Sequence, residues 1–174
     1  MSTLTKEDIE IATRAAEHFT RLYYTAYDSP TRVDDLPNFY RPHSAMTWNG
    51  NPYGGADAVR ELIAKMPKTK HEVHSYDCHP IPGAYSLTAN ARVPFNVVRV
   101  PGSQPPSLLI TVTGSVVHGG GPSANPVSTP TKSIDGQPRV FTQTFILSPD
   151  VTATKSAGEV AKYYITADTM RFVG

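Results

Sequence analysis

Residues 48–80 constrain the fold of this chain most strongly, because they combine a tight turn, a short helix and a strand. The turn signal is Asn-Gly-Asn-Pro at residues 49–52, where Asn and Gly tolerate positive φ and Pro fixes φ in advance. Apolar residues at helical spacing predict a helix over residues 56–66, which Pro67 ends. A strand is predicted to begin near Lys70. A short helix between two strands is expected to lie across the sheet to which both strands belong.

The rest of the chain predicts helices first and strands afterwards. Helical spacing of apolar residues is found over residues 4–27, with a shorter helical piece at 33–40 that is interrupted by Pro37. Strands are expected at residues 45–48, 70–79, 107–118, 139–147 and 161–173. Residues 87–100 are strand-like in composition, although Pro94 favours an edge or a bulge there. The predicted class is α+β, with helices on one face of an antiparallel sheet.

Length and composition favour one domain, residues 1–174. The 16 Lys and Arg residues nearly balance the 15 Asp and Glu residues, which gives no charge excess for nucleic acid as the main partner. The single cysteine, Cys78, excludes an intrachain disulfide and favours a reducing compartment. No stretch approaches the ~20 apolar residues of a membrane span, and the N-terminus is polar. A soluble, intracellular protein without a membrane role is expected.

Two segments interrupt this plan and are predicted to be inserted loops. Residues 84–106 end in a turn-rich stretch, and residues 119–138 are rich in Gly, Pro, Ser and Thr and are expected to form a long hairpin loop. Residues 148–158 are a second stretch of flexible composition. The sequence contains no internal repeat.

The last three predicted strands share a face that is unusually poor in charge. A solvated sheet surface would normally carry Lys and Glu, whereas this face carries one charge, on Arg171. Small, β-branched residues without charge are typical of the core of a protein interface, which is the interpretation we prefer to a wet surface. The candidate interface residues are Thr111, Thr113, Ser115, Thr142, Thr144, Ile146, Ile165, Ala167, Thr169 and Arg171.

A cluster of polar residues on the strand that begins near Lys70 has the composition of a metal site but not its spacing. Its members are His71, Glu72, His74, Cys78 and His79. At ~3.3 Å per residue, His74 and Cys78 lie roughly 13 Å apart, too far to share a tetrahedral ion. Strict alternation would place His71 on one face together with Asp77 and His79. We expect neither a metal nor another cofactor, and interpret the cluster as polar residues of a sheet edge.

An enzyme of this class would need an acid and a base that converge in a cavity. The candidates are Asp77, His74 and Asp168, with Tyr23 or Tyr24 as a proton donor. The sequence does not show that any two of them meet, and it contains no nucleophile, phosphate-binding or dinucleotide motif. No catalytic residue is therefore assigned.

One basic run could contribute to RNA binding. It consists of Arg60, Lys65, Lys68 and Lys70 and is diluted by Glu61 and Glu72. Such a patch is weak as a sole nucleic-acid site, so any RNA contact is expected to be indirect, beside a partner.

Short motifs in a fixed order resemble the nuclear transport factor 2-like superfamily, and more narrowly its mRNA-export branch. They are found at residues 14–19 with Tyr23-Tyr24, at 47–51, at Gly55, Leu62 and Met66-Pro67, and at 77–80, 114–116, 141–147 and 168–172. The resemblance covers nearly the whole chain except residues 84–106 and 119–138.

The resemblance implies a cone of helices over a strongly bent antiparallel sheet. It also implies a non-catalytic small subunit of the heterodimeric nuclear mRNA export receptor, whose large subunit packs sheet against sheet. Arg171 matches a family arginine that forms an interfacial salt bridge. The implied role is to support binding of phenylalanine-glycine nucleoporins and mRNP export, with shuttling between nucleus and cytoplasm at the nuclear pore.

Two alternatives within the same fold remain open. One is a cavity-type dehydratase or isomerase that uses an Asp-His pair. The other is a homodimeric importer of the GTPase Ran, although the loop before the Phe-x-Gln-x-Phe strand offers only Asp135 where that importer has several acidic residues. The two inserted loops resemble those of fungal members of the export branch.

Overall fold

The computed structural model describes residues 6–81, 105–119, 136–150 and 162–173. The elements are α1 (Lys6–Asp28), α2 (Arg32–Asp35), a 3₁₀ turn (Leu36–Phe39), β1 (Tyr40–Trp48), β2 (Asn51–Gly54), α3 (Gly55–Lys65), β3 (Thr69–Ile81), β4 (Ser107–His118), β5 (Arg139–Pro149) and β6 (Tyr163–Phe172). The α+β class is confirmed; α1 and α2 precede all the strands of the described residues, while α3 lies between β2 and β3. Neither of the long helices in this part of the chain is apolar enough to cross a membrane.

The six strands form one sheet in the order β2-β1-β6-β5-β4-β3. Its neighbouring strands run antiparallel except for β1 and β6, which are parallel. The expectation of a fully antiparallel sheet is therefore wrong, and the sheet is mixed. Hydrophobic alternation along a strand is the same whichever way its neighbour runs, so the pattern carried no signal for this pair.

The turn that follows Trp48 is a two-residue hairpin. Asn49 and Gly50 have φ of 48° and 86°, the positive values that a type I′ turn requires. The next residues, Asn51 and Pro52, were predicted to continue the turn but belong to the edge strand β2. Proline is tolerated there because an edge strand has one unpaired side.

Helices α1 and α3 cover one face of the sheet. The apolar stripe of α1 inserts Phe19 and Tyr23 against Phe145 of β5, with ring centroids 5.0 and 4.8 Å apart. Helix α3 packs on β1 and buries Val59 and Ile63. It connects β2 and β3, the two opposite edges of the sheet, so it lies across the sheet as expected.

Two β-bulges reverse the faces that strict alternation predicts. In β3 the register shifts between Val73 and Ser75, so His71 lies on the helix-covered side while Asp77 and His79 lie on the opposite side. The prediction that these three residues share a face is wrong, because a bulge inserts one unpaired residue and inverts the alternation beyond it. In β6 a second shift falls opposite Ile146 and Leu147 of β5.

Several sequence predictions fall outside the described residues. They include the strand-like composition of residues 87–100, most of the inserted loops at 84–106 and 119–138, and Asp135.

Candidate interaction surface

The face of the sheet that the helices leave uncovered is called here the open face. Its residues stand in rows across the strands because neighbouring strands are in register. One row is apolar and consists of Leu109, Ile146, Ala167 and Ala45. The next consists of Asp77, Thr111, Thr144, Thr169 and Thr47, and a third of Ser75, Thr113, Thr142 and Arg171. Nine of the ten residues predicted to form an interface do lie on this one surface.

The exception is Ile165, which is fully buried on the helix-covered side. It pairs with Leu147 in the core, whereas Ala167 pairs with Ile146 on the open face. The bulge in β6 lies between Ile165 and Ala167 and separates two residues that were expected to share a face. The prediction that Ile165 belongs to the interface surface is therefore wrong.

The open face also contains residues that the sequence prediction missed. Val140 is 44 % exposed and stands opposite Ser115. Leu109 belongs to the apolar row. The first of these could have been found from the alternation of β5, because Val140, Thr142 and Thr144 follow one another at a spacing of two.

Charge on the open face is confined to its margins. Arg171 is exposed and forms no ion pair with any residue that the structure describes. Glu72 and Asp77 lie on β3, the far edge strand, in register with Ser115 and Thr111. The centre of the surface is therefore made of hydroxyl and aliphatic groups, as the sequence indicated.

The opposite side of the sheet contains a buried polar network centred on Asp168. The carboxylate is 2 % exposed and accepts hydrogen bonds from Tyr40 Oη at 2.7 Å and from Gln143 Nε2 at 2.9 and 3.0 Å. Tyr23 Oη lies 2.9 Å from Tyr40 Oη, and Tyr24 Oη donates to Gln143 Oε1 at 2.8 Å. Burial raises the pKa of Asp168 to about 6, although the hydrogen bonds to the carboxylate oppose that rise.

The structure brings Asp168 together with Tyr23, one of the tyrosines considered as a proton donor, whose Oη donates to Asp168 Oδ2 at 3.4 Å, but not with Asp77 or His74. Asp77 lies on the open face, and His74 Nε2 lies 3.2 Å from Ser115 Oγ on that same side. Asp168 is sealed on the other side of the sheet, where Tyr40 and Gln143 occupy its oxygens. This arrangement gives Asp168 a structural role, and no histidine of the described residues hydrogen-bonds to it.

The residues considered for metal binding are also separated. His71 Nδ1 lies 2.6 Å from Asp28 Oδ1 at the end of α1, and Cys78 Sγ donates to Ala12 O at 3.5 Å. Burial raises the pKa of the Cys78 thiol to about 11. Within the described ranges, no three His, Cys, Asp or Glu side chains are grouped as metal ligands.

Comparison with known proteins places this architecture in a family. The model of the nuclear transport factor 2 (NTF2) domain matches residues 15–172. The chain belongs to the NTF2 domain family. The fold predicted from the motifs is thereby confirmed, with the mixed sheet as the one correction.

Curated relatives of this NTF2 domain are transport factors rather than enzymes. The NTF2-related export protein of Caenorhabditis elegans is 26 % identical over 171 residues, which are 98 % of this chain and 93 % of that protein. Human NTF2-related export protein 2 is 33 % identical over 76 residues, 44 % of this chain. That alignment spans 52 % of the human protein, about half of its length.

Solved structures support the same fold. The structure of Mtr2 has a TM-score of 0.61 at 20 % identity and covers 94 % of this chain and 99 % of its own. A chain from the Chaetomium thermophilum complex of the Mex67 NTF2-like domain with Mtr2 has a TM-score of 0.58 at 22 % identity, with coverage of 94 % and 99 %. At these identities the likeness establishes the fold alone.

Proposed function

We propose that this NTF2 domain is the non-catalytic small subunit of a heterodimeric mRNA export receptor. Its open face packs against the NTF2-like domain of a larger subunit. The observation that carries the proposal is the composition of that face, whose centre is threonine, isoleucine and alanine while its one guanidinium lacks a carboxylate in the described residues. Surfaces depleted in charge at the centre and polar at the rim are typical of stable interfaces.

The relatives support the choice of partner. Two of them carry the name NTF2-related export protein, and Mtr2 is found in complex with the NTF2-like domain of Mex67. An NTF2 fold in the partner would present a sheet of similar curvature. Two such sheets can bury each other's open faces in the manner of packed sheets in a sandwich.

Arg171 is the proposed fixed point of this interface. A guanidinium that loses water on docking is tolerated only when a carboxylate pairs with it, ideally through two parallel hydrogen bonds. The partner is therefore expected to place an Asp or Glu against Arg171. The other eight predicted residues that lie on the open face, together with Val140, form the surrounding contact surface.

The test is co-purification with the Mex67-type NTF2-like domain of the source organism. Arg171→Asp places two carboxylates face to face and is expected to abolish the complex, because truncating or reversing a desolvated charge pair costs several kcal/mol, on the order of 2–5. Arg14→Asp is the matched control, since Arg14 is exposed on α1, away from the open face. Recovery of the Arg171→Asp complex at wild-type yield would refute the proposal.

Broader roles follow from membership of such a receptor. The heterodimer supports binding to phenylalanine-glycine repeats of nucleoporins and the export of mRNPs, and it shuttles between nucleus and cytoplasm. Any contact with RNA is indirect, through the complex. The inserted loops predicted at 84–106 and 119–138 favour a small subunit of the fungal type.

The two alternatives predict different behaviour. A dehydratase or isomerase needs an accessible acid-base pair, whereas Asp168 is sealed by tyrosines and Gln143. A Ran importer of the NTF2 type forms a stable homodimer in isolation, so light scattering on the lone chain would give a dimer mass that does not change with concentration.

A further inference from the structure

The Asn49-Gly50 turn contacts β6 at the residues that flank Arg171. The pairing of β1 with β6 ends at Trp48 and Met170. Arg171 and Phe172 therefore lie one and two residues beyond the last pair. On the other side, β5 continues to pair with both residues through Thr142 and Phe141. Without a further contact, β6 would be held on one side only at Arg171.

Asn49 supplies that contact twice. Its backbone N–H donates to Met170 O at 2.9 Å, and its side-chain Oδ1 accepts from Phe172 N at 3.0 Å. The side chain thus replaces the hydrogen bond that the next residue of a β1 strand would have made. Arg171 lies between the two residues that are held.

Gly50, the second residue of the turn, lies beside the guanidinium of Arg171. A Cβ atom at this position would lie 3.6 Å from Arg171 Nη2, so the arginine side chain passes directly beside the turn. A Cβ atom at that distance would make an ordinary contact, so the φ of 86° at Gly50 is what disfavours a larger residue there.

The ordinary role of Asn in a type I′ turn does not require its side-chain bond to β6. Asparagine is favoured in such turns because it tolerates positive φ. Within the described ranges, the side-chain amide of Asn51, in the same hairpin, makes one hydrogen bond, a 3.4 Å contact from Nδ2 to Trp48 O. The bond from Phe172 N to Asn49 Oδ1 is therefore an additional function of this one side chain.

We propose that Asn49 is a positioning residue for Arg171: the turn fixes β6 on both sides of the arginine and presents its guanidinium in one orientation to the partner carboxylate. This inference rests on the proposed function. A guanidinium that is already held in one orientation loses less conformational entropy on binding than one at a frayed strand end does.

The test is a double-mutant cycle measured as affinity for the Mex67-type NTF2-like domain. Asn49→Gly keeps the positive φ of the turn and removes the acceptor, and it is expected to weaken binding about fivefold, the value of one hydrogen bond. In an Arg171→Ala background the same substitution is expected to change affinity less than twofold, because no guanidinium remains to be positioned. Asn51→Gly, the same change in the same hairpin, is expected to leave affinity unaltered.

The outcomes separate this inference from the function on which it rests. Equal weakening by Asn49→Gly in both backgrounds would indicate a general effect on the fold and would overturn the positioning role alone. If Arg171→Ala leaves affinity unchanged, both proposals fail. Amide hydrogen exchange in the isolated chain gives a partner-free readout: Asn49→Gly should accelerate exchange at Phe172 at least fivefold, and Asn51→Gly should not. Unchanged exchange at Phe172 would also overturn the positioning role.

Discussion

The two faces of the sheet are built from alternating residues of the same strands, yet they differ in how their polar groups are satisfied. On the helix-covered face, the carboxylate of Asp168 receives hydrogen bonds from three other elements of the fold. On the open face, Arg171 has no carboxylate in the described part of the chain, and the hydroxyls of Thr111 and Thr144 lie 3.3 Å from each other. The Asp168 carboxylate finds its partners within the chain, whereas Arg171 on the open face has bonding capacity left over in the described residues.

The two faces are not distinguished by polarity alone. Both faces contain polar atoms, and the buried one even contains an acid. The buried network persists because low dielectric strengthens hydrogen bonds whose partners are all present. On the open face, water can hydrogen-bond to the polar groups. The aliphatic groups there have few charged neighbours, so their permanent exposure to water is unfavourable.

The largest expected effect comes from adding a methyl group to the interior face of β4. A Cβ on Gly114 would clash with the backbone oxygen of Glu72 and lie 2.9 Å from two ring atoms of Phe141. Neither neighbour is the end of a flexible side chain that can move aside. Gly114→Ala is expected to lower the free energy of unfolding by about 3 kcal/mol, measured by urea denaturation.

The adjacent residue provides the matched control on the open face. Ser115→Thr also adds one methyl group, but to a side chain that is only half-buried and points away from the helices. Its effect on the free energy of unfolding is expected to stay within about 0.5 kcal/mol. If Gly114→Ala cost no more than Ser115→Thr, the two faces would not differ in packing as described.

A smaller effect is expected from titrating the buried network. Because burial raises the pKa of Asp168 from 3.8 to about 6, the folded state binds this proton more tightly than the unfolded state does. Its contribution to stability is fully present below pH 3.8 and is lost as the pH rises through 6. Lowering the pH from 7 to 5 should therefore add about 1.3 kcal/mol to the free energy of unfolding.

Other groups titrate in the same range, so the prediction concerns the difference in stability between the wild-type protein and Asp168→Asn. Asp168→Asn keeps the shape of the side chain and removes its proton equilibrium. The difference in unfolding free energy between the two proteins should follow the stated slope between pH 5 and pH 7, measured by urea denaturation at each pH. A difference that does not vary with pH would show that Asp168 has an ordinary pKa.

The sequence was sufficient to predict elements whose signals are local. The helical stripe of α1, the alternation of β4 and β5 and the Asn49-Gly50 turn all depend on neighbours within a few residues. The threonine rows were also predictable, because a regular strand with a spacing of two keeps Thr142 and Thr144 on one face.

Features set by distant residues were not predictable in this way. The bulges in β3 and β6 moved His71 and Ile165 to the helix-covered side, although nothing in their own neighbourhoods marks an inserted residue. The partners of Asp168 come from α1, β1 and β5, at separations of up to 145 residues along the chain. Such a network depends on the sheet order, and a single sequence does not encode that order as a local pattern.

The smallest effect on stability, and the most direct test of the open face, comes from adding charge to it. Ile146→Lys replaces an aliphatic side chain that is 36 % exposed on this face, while Leu22→Lys replaces one that is 43 % exposed on α1. Both should change the free energy of unfolding by less than about 0.5 kcal/mol, since surface substitutions rarely do more. Self-association of the lone chain, measured by light scattering against concentration, should fall with Ile146→Lys and persist with Leu22→Lys, because only the former interrupts the apolar row across the sheet. A wild-type chain that stays monomeric at every concentration would contradict this prediction, because it would show that the open face is stable when exposed to water.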